Sequence, residues 1–166
     1  MSAVNFVEVI GQRIEISCMS EHDLLEVVEI EESCGLSRWG WEAYHSELAQ
    51  GDSGLMLVAR DLDALSNAEE HRVAGFIASR YSVDELHVNN VAVRPKFRRQ
   101  GIGAALIKAV LQAAASRKAR RALLEVRASN LAAQALYARC GFCVIGRRKN
   151  YYREPPEDAL IMALTF

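Results

Sequence analysis

The sequence carries no excess of positive charge: 20 lysines and arginines stand against 21 aspartates and glutamates, for a net charge of −1. A protein that wraps duplex nucleic acid by its phosphates is basic overall, so direct nucleic-acid binding is not expected. No hydrophobic run approaches the ~18 residues that a membrane-spanning helix requires. The first residues, MSAVNFVEVIGQRIEIS, lack both the charged start and the continuous apolar stretch of a secretion signal. These absences predict a cytoplasmic chain with no membrane partner and with reduced cysteines. Internal repeats, low-complexity tracts and linker-like segments are missing as well. A length of 166 residues, 51% of them hydrophobic, is enough for one buried core, so a single domain over residues 1–166 is expected.

A metal-ligand pattern is also lacking, although Cys140 and Cys143 in CGFC have the spacing of a redox pair or half a zinc site. A redox thiol of that kind needs a helix N-terminus, where the dipole stabilises its thiolate. Here NLAAQALYARC reads as a helix running into Gly141, which puts Cys140 at the opposite pole. A second pair of ligands is absent, so neither a redox centre nor a metal is expected.

What is present is an alternation of helical and extended patterns. SEHDLLEVVEIEE (20–32) opens with Ser20 and Asp23 in capping-box spacing, then repeats Leu24, Val27 and Val28 at helical intervals. WEAYHSELAQG (41–51) predicts a second short helix stopped by Gly51. LMLVAR (55–60) and VAGFIASRY (73–81) read as strands, with the polar stretch 61–71 as a surface excursion between them. AALIKAVLQAAASR (104–117) is helical, with Leu106, Val110, Leu111 and Ala114 along one side. ALLEVRA (122–128) is an apolar strand interrupted by Glu125, and the helix after it is capped by Ser129 or Asn130. FCVIGRR (142–148) and DALIMALTF (158–166) close the chain as strands, separated by a loop, KNYYREPPE.

In ELHVNNVAV (85–93) the apolar residues change phase: Leu86 and Val88 are even, Val91 and Val93 odd. Strand side chains alternate faces, so one extra residue near Asn89–Asn90, a β-bulge, would return all four to one face. A strand buried on both faces would show the same letters without a bulge.

FRRQGIGAAL (97–106) then places two arginines and two glycines just ahead of a helix. Gly101 and Gly103 let backbone N–H groups approach a ligand, and the first turn of a helix favours an anion, phosphate above all. The loop is not a Walker motif, since Ala104 and Ala105 stand where Lys-Ser/Thr would be. A dinucleotide fingerprint is likewise incomplete. A plain glycine turn would look the same. The basic clusters RPKFRR (94–99), RKARR (117–121) and RRK (147–149) read equally as solvated faces.

Together these segments resemble the GNAT (Gcn5-related) N-acetyltransferases. NNVAVRPKFRRQGIGAALI is similar to their acyl-CoA-binding segment, with Arg98, Gly101 and Gly103 on the family pattern Arg/Gln-x-x-Gly-x-Gly/Ala. LLEVRASNLAAQALYARCGF and RRKNYY…EDALIMAL look like the bacterial branch that acetylates the N-terminal alanine of a ribosomal protein. The likeness spans residues 85–164; over the first 80 residues only element spacing and a tryptophan in LSRWGW invite comparison. The resemblance implies an α/β GNAT fold: a mixed central sheet with a splayed, bulged strand and helices on both faces. It implies acetyl-CoA as co-substrate and no metal. Val91, Ala92 and Val93 would offer backbone groups to the pantetheine arm, and Asn130 a hydrogen bond to it. Arg98, Arg99, Gln100, Gly101, Ile102, Gly103 and Ala104 would hold the pyrophosphate.

The same resemblance makes Glu125 the general base, with Glu85 or water as the rival, and Tyr137 the general acid beside the sulfur. Direct attack of an amine on a thioester needs such an acid and base, together with an oxyanion donor, for which the Val93 N–H is the candidate. A carboxylate buried in an apolar strand would be a stronger base, and a phenol stays protonated at neutral pH. The implied acceptor is a protein N-terminus, that of a ribosomal protein, with Tyr151 and Tyr152 flanking it and Glu157 or Asp158 steering its ammonium. The expected enzyme is a monomer or weak homodimer. Other protein N-termini or a small-molecule amine as acceptor, and a non-catalytic acyl-CoA sensor, remain open as other readings; the stretch 61–71 and the loosely similar LSRWGWEAYHSEL both lie in the half where acceptor choice is set.

Overall fold

A computed structural model describes residues 5–9, 12–36, 38–51, 54–66 and 72–166. The strands are β1 (Asn5–Val9), β2 (Gln12–Cys18), β3 (Gly54–Asp61), β4 (Val73–Ser82), β5 (Glu85–Val93), β6 (Arg121–Arg127), β7 (Cys143–Arg153) and β8 (Pro156–Thr165). The helices are α1 (Leu24–Ser33), α2 (Gly40–Ala49), α3 (Ile102–Ser116) and α4 (Leu131–Arg139). The strands form one mixed sheet in the order β1-β2-β3-β4-β5-β6-β8-β7, antiparallel except where β5 meets β6.

Helices cover both faces, as expected. Leu24, Val27 and Ile30 of α1 and Tyr44 of α2 pack with Met56, Val58, Phe76 and Ala92 on one side. Leu106, Ile107, Val110 and Ala114 of α3 pack with Ile77, Leu86, Val88 and Leu124 on the other. Each fully buried aliphatic or aromatic side chain contributes about 1.5–3 kcal/mol, which is why a sheet this apolar is not left uncovered. α1 starts where the sequence placed it: a 3-10 turn over Glu21–Asp23 carries the Ser20–Asp23 capping box. α3 begins at Ile102, two residues ahead of the expected start, and Asn130 rather than Ser129 caps α4, accepting from the Ala133 N–H at 3.1 Å. The excursion at 61–71 contains a 3-10 turn over Asp63–Ser66; residues 67–71 lie outside the described set.

The β-bulge is present. Ala78 pairs with Asn90 but Ser79 pairs with Val88, so Asn89 is the extra residue. Leu86, Val88, Val91 and Val93 consequently all pack against the α3 side, while Asn90 and Ala92 are buried towards α1 and α2. β5 pairs with β6 only over Glu85–Val88, whereas β6 stays paired with β8 through Arg127. Beyond the bulge the two parallel strands therefore part, and a cleft opens between Asn89–Val93 and Glu125–Arg127. β5 leans instead on β4, whose Gly75 makes the approach possible: a Cβ there would lie 2.7 Å from the Ala92 carbonyl oxygen.

One expectation fails. KNYYREPPE is not a loop; β7 runs to Arg153, β8 starts at Pro156, and only Glu154 and Pro155 make the turn. Pairing is lost between Arg148 and Tyr152, so the strand bulges over residues 149–151, Asn150 at positive φ, and then rejoins its partner.

Candidate active site

The cleft has a volume of about 810 Å³. Its floor and one wall come from the splayed half of β5 and the loop into α3; the other wall is β6, α4 and the bulged part of β7. Arg94 donates its backbone N–H to Ala74 on β4. Antiparallel strands alternate, so Ala92 also turns its amide and carbonyl to β4, and Val91 and Val93 turn theirs away from β4 into the opening. That gives Val93 the orientation an oxyanion donor needs, and it follows directly from the bulge.

At one end of the cleft sits the mouth of α3. Gly101 caps the helix with φ +87°, a left-handed conformation that favours glycine. The first helical bond is from Ala105 N–H to Gly101 C=O, at 2.9 Å. The N–H groups of Ile102, Gly103 and Ala104 are thus left at the open end of the helix. Arg98 and Arg99 flank them. Arg98 is partly engaged: its Nε donates to the Val93 carbonyl at 3.0 Å and one Nη to Cys34 Sγ at 3.1 Å. Arg99 has no side-chain partner among the described residues. Arg94, in the same basic cluster, is committed to Glu26 and Glu29 of α1 and takes no part. The Gln100 side chain folds back on the Lys96 carbonyl at 3.2 Å, which leaves its backbone as the part of it offered at the loop.

A diphosphate-bearing thioester fits this arrangement. The open amides and arginines suit the diphosphate, and the trough leading inward is walled by Val91, Val93, Ala133 and Leu136. Gly103 keeps that trough clear, since a Cβ there would come to 3.2 Å from Leu136 Cδ2 and 3.7 Å from Val93 Cγ2. Asn130 borders it; its side-chain oxygen is used in the α4 cap, which leaves its amide nitrogen for a ligand.

Further in, Glu125 and Tyr137 line the cleft together. Tyr137 is buried against Phe142, ring centroids 6.1 Å apart. Burial first, then the neighbouring Tyr152 and Cys140, pushes its hydroxyl above the ordinary tyrosine range. Within the described residues the hydroxyl has no hydrogen-bond partner, and no fully buried side-chain polar atom lacks one, so it opens to the cleft. Glu125 differs from expectation. Its side chain is 32% exposed, not buried, and pairs with Arg148 of β7 at 3.4 Å. Glu85 lies at the far, paired end of β5, bonded to Arg121 and His87, outside the cleft lining. Arg121 holds its carboxyl below the usual range.

Tyr151 and Tyr152 border the cleft, their rings edge to face at 5.2 Å. Glu157 and Asp158 lie outside the cleft lining, each engaged by the chain itself. Glu157 accepts from Ser129 N–H at 2.5 Å and from Arg127 at 3.3 Å; Asp158 accepts from Asn150 N–H at 2.9 Å and Arg147 at 2.7 Å. These bonds, the Ser129 and Asn150 donors foremost, hold both carboxyls below their usual range. Their work is to shape the β7–β8 hairpin. Arg127, between them and the cleft, also stacks its guanidinium 4.1 Å from the Tyr152 ring centroid. Cys140 sits at the C-terminal end of α4, and burial pushes its thiol up, the opposite of a reactive thiolate.

Sequence reasoning missed the wall supplied by the α1–α2 connection: Cys34, Gly35, Leu36 and Trp39 line the cleft. It also missed Glu31, Tyr44 and Asn90 behind that wall. A usable signal existed for Glu31, which shares the buried stripe of α1 with Leu24 and Val27 at helical spacing.

Comparison with known proteins agrees with this geometry. Residues 24–142 match the model of the acetyltransferase (GNAT) family. The chain is 34% identical to the [ribosomal protein bS18]-alanine N-acetyltransferase of Salmonella typhimurium, over 90% of this chain and 95% of that one. The crystal structure of the ribosomal-protein-S18-alanine N-acetyltransferase from Escherichia coli superposes with a TM-score of 0.77, at 33% identity and covering 92% and 93% of the two chains. NAA60 of Arabidopsis thaliana, solved in complex with acetyl-CoA, shares the fold at a TM-score of 0.79 and 19% identity, over 92% of this chain and 98% of that one.

Proposed function

Because the chain belongs to the acetyltransferase (GNAT) family, whose acyl donor is acetyl-CoA, we propose that it acetylates a protein N-terminus, that of a ribosomal protein beginning with alanine. The observation that carries this reading is the cleft between β5 and β6. It joins an anion-binding helix mouth to a chamber holding one carboxylate and one open phenol, and continues to an exposed aromatic rim. Acetyl-CoA supplies the activated acyl carbon; the chain's residues do the rest. The amides of Ile102, Gly103 and Ala104, with Arg98 and Arg99, hold the diphosphate. The Val93 N–H donates to the carbonyl oxygen as charge builds on it. Glu125 takes the proton of the attacking amine, directly or through water, and Tyr137 donates to the departing sulfur.

An α-amino group, with its pKa of about 7.7–8.0, is roughly one-third neutral at pH 7.5, against roughly one lysine in a thousand. A partly exposed Glu125 is base enough for the first and a poor one for the second. The same reading makes the protein a cytoplasmic enzyme acting as a monomer or weak homodimer. The test is thiol release from acetyl-CoA with a peptide whose first residue is alanine, set against spermidine and an aminoglycoside. The peptide is expected to react at least about tenfold faster by kcat/KM. Rapid release with either amine and none with the peptide would assign the cleft to small-molecule acceptors.

A further inference from the structure

Glu31, in the last turn of α1, is a carboxylate with no exposed surface, yet the catalytic scheme does not use it. Its Oε1 accepts from the Trp39 N–H at 2.8 Å and the Tyr44 hydroxyl at 2.8 Å, and its Oε2 accepts from the Gly40 N–H at 3.0 Å. The Tyr44 oxygen in turn accepts from Asn90 Nδ2 at 2.9 Å. Tyr44 is fully buried and Asn90 is 8% exposed. Burial, and then Glu31, keep the Tyr44 hydroxyl protonated far above the ordinary tyrosine range, so it donates at every working pH.

The two ends of this chain of bonds lie on opposite components of the cleft. Trp39 and Gly40 end the α1–α2 connection, whose Cys34, Gly35, Leu36 and Trp39 line the cleft; Cys34, at its start, also meets Arg98 at 3.1 Å. Asn90 stands directly after the bulged Asn89 and directly before Val91, the first residue whose amide faces the opening. Its side chain is turned through the sheet to the α1–α2 side because the bulge has shifted the phase. A buried carboxylate with one partner removed is costly, so the arrangement is rigid only when every member is in place.

We propose that Glu31, Tyr44 and Asn90 act as positioning residues, a buried relay that ties the acceptor wall of the cleft to the bulge that opens it. The relay holds the α1–α2 connection at a fixed distance from the Val91–Val93 backbone. It sets where an acceptor amine stands relative to the thioester, leaving the diphosphate end of the cleft to the α3 mouth. The assignment of that wall to the acceptor rests on the function proposed above.

The test uses Tyr44→Phe, which removes one oxygen and keeps the ring against Phe76 and Trp39, with Asn90→Ala and the double variant. Each single change is expected to raise KM for the alanine-starting peptide about tenfold, with coenzyme A affinity kept within about twofold. The double variant is expected to be no worse than the worse single one, since either cut opens the same chain. Amide hydrogen exchange at Trp39 and Gly40 is expected to quicken in Asn90→Ala, although Asn90 bonds to neither. A purely structural role predicts lower thermal stability with KM unchanged, or coenzyme A affinity falling in step; either result overturns the proposal. So do additive effects or unchanged exchange at Trp39 and Gly40. Should Asn90→Ala not fold, Tyr44→Phe alone decides by the same split. A wild-type protein inert towards the peptide sinks the acceptor reading, and the exchange measurement still judges the relay.

Discussion

Tyr137→Phe is expected to lower kcat about 100-fold, with acetyl-CoA affinity kept within about twofold. The change removes only the hydroxyl. The ring, buried in the core against Phe142, keeps its packing, so the loss should not be one of folding. The hydroxyl is the sole polar atom of a buried side chain and opens to the cleft without a partner in the described chain, as a donor waiting for a ligand does. Since burial holds it protonated beyond the ordinary range, the wild-type enzyme should show no loss of the acid as pH rises to about 10. Steady-state rates at saturating peptide, from pH 6 to about 10, measure both points. Full activity in the phenylalanine variant would remove Tyr137 from the mechanism.

Glu125→Gln is the second large effect, a fall in kcat/KM of about 100-fold or more. The complication is Arg148, which pairs with Glu125 across β6 and β7 and would also lose its partner. Exposed pairs of this kind contribute about 0–1 kcal/mol, too little to produce such a fall through stability. Arg148→Met separates the two roles. It abolishes the ion pair and leaves the carboxylate, so it should retain most activity if Glu125 is the base. Equal losses in both variants would reduce Glu125 to an anchor for β7 and return proton removal to water.

Much of this was legible in the residues because the relevant signals are local. Two valines out of phase with a preceding Leu-x-Val announce the bulge, and hence the parting of β5 and β6. Two glycines ahead of an apolar helix announce the anion site. The two closing strands were legible at 142–148 and 158–166, but the second half of β7 and the tight turn after it were not. β7 is an edge strand, exposed along nearly its whole length and paired on one side only, so no hydrophobic alternation marks it. Its tyrosines, charges and following prolines then read as a loop. The partners of Glu157 and Asp158 were hidden for the same reason, since they depend on a pairing that the letters do not show. The position of Glu125 was only half visible: an apolar strand predicts burial, but Arg148, reaching over β8 from β7, meets the carboxylate at a wet boundary. The α1–α2 wall was missed because SCGLSRWG has no period; only Glu31, just ahead of it, falls on the buried stripe of α1.

The central claim is that coenzyme A lodges at the mouth of α3 and runs along the trough that Gly103 keeps open. A calorimetric titration of coenzyme A into the wild-type protein and into Gly103→Leu tests it most directly. One-to-one binding by the wild type, weakened at least about 100-fold in the variant, is the predicted result, because the new side chain would fill the space beside Leu136 and Val93. No heat with the wild type, or equal affinity in the two proteins, would contradict it.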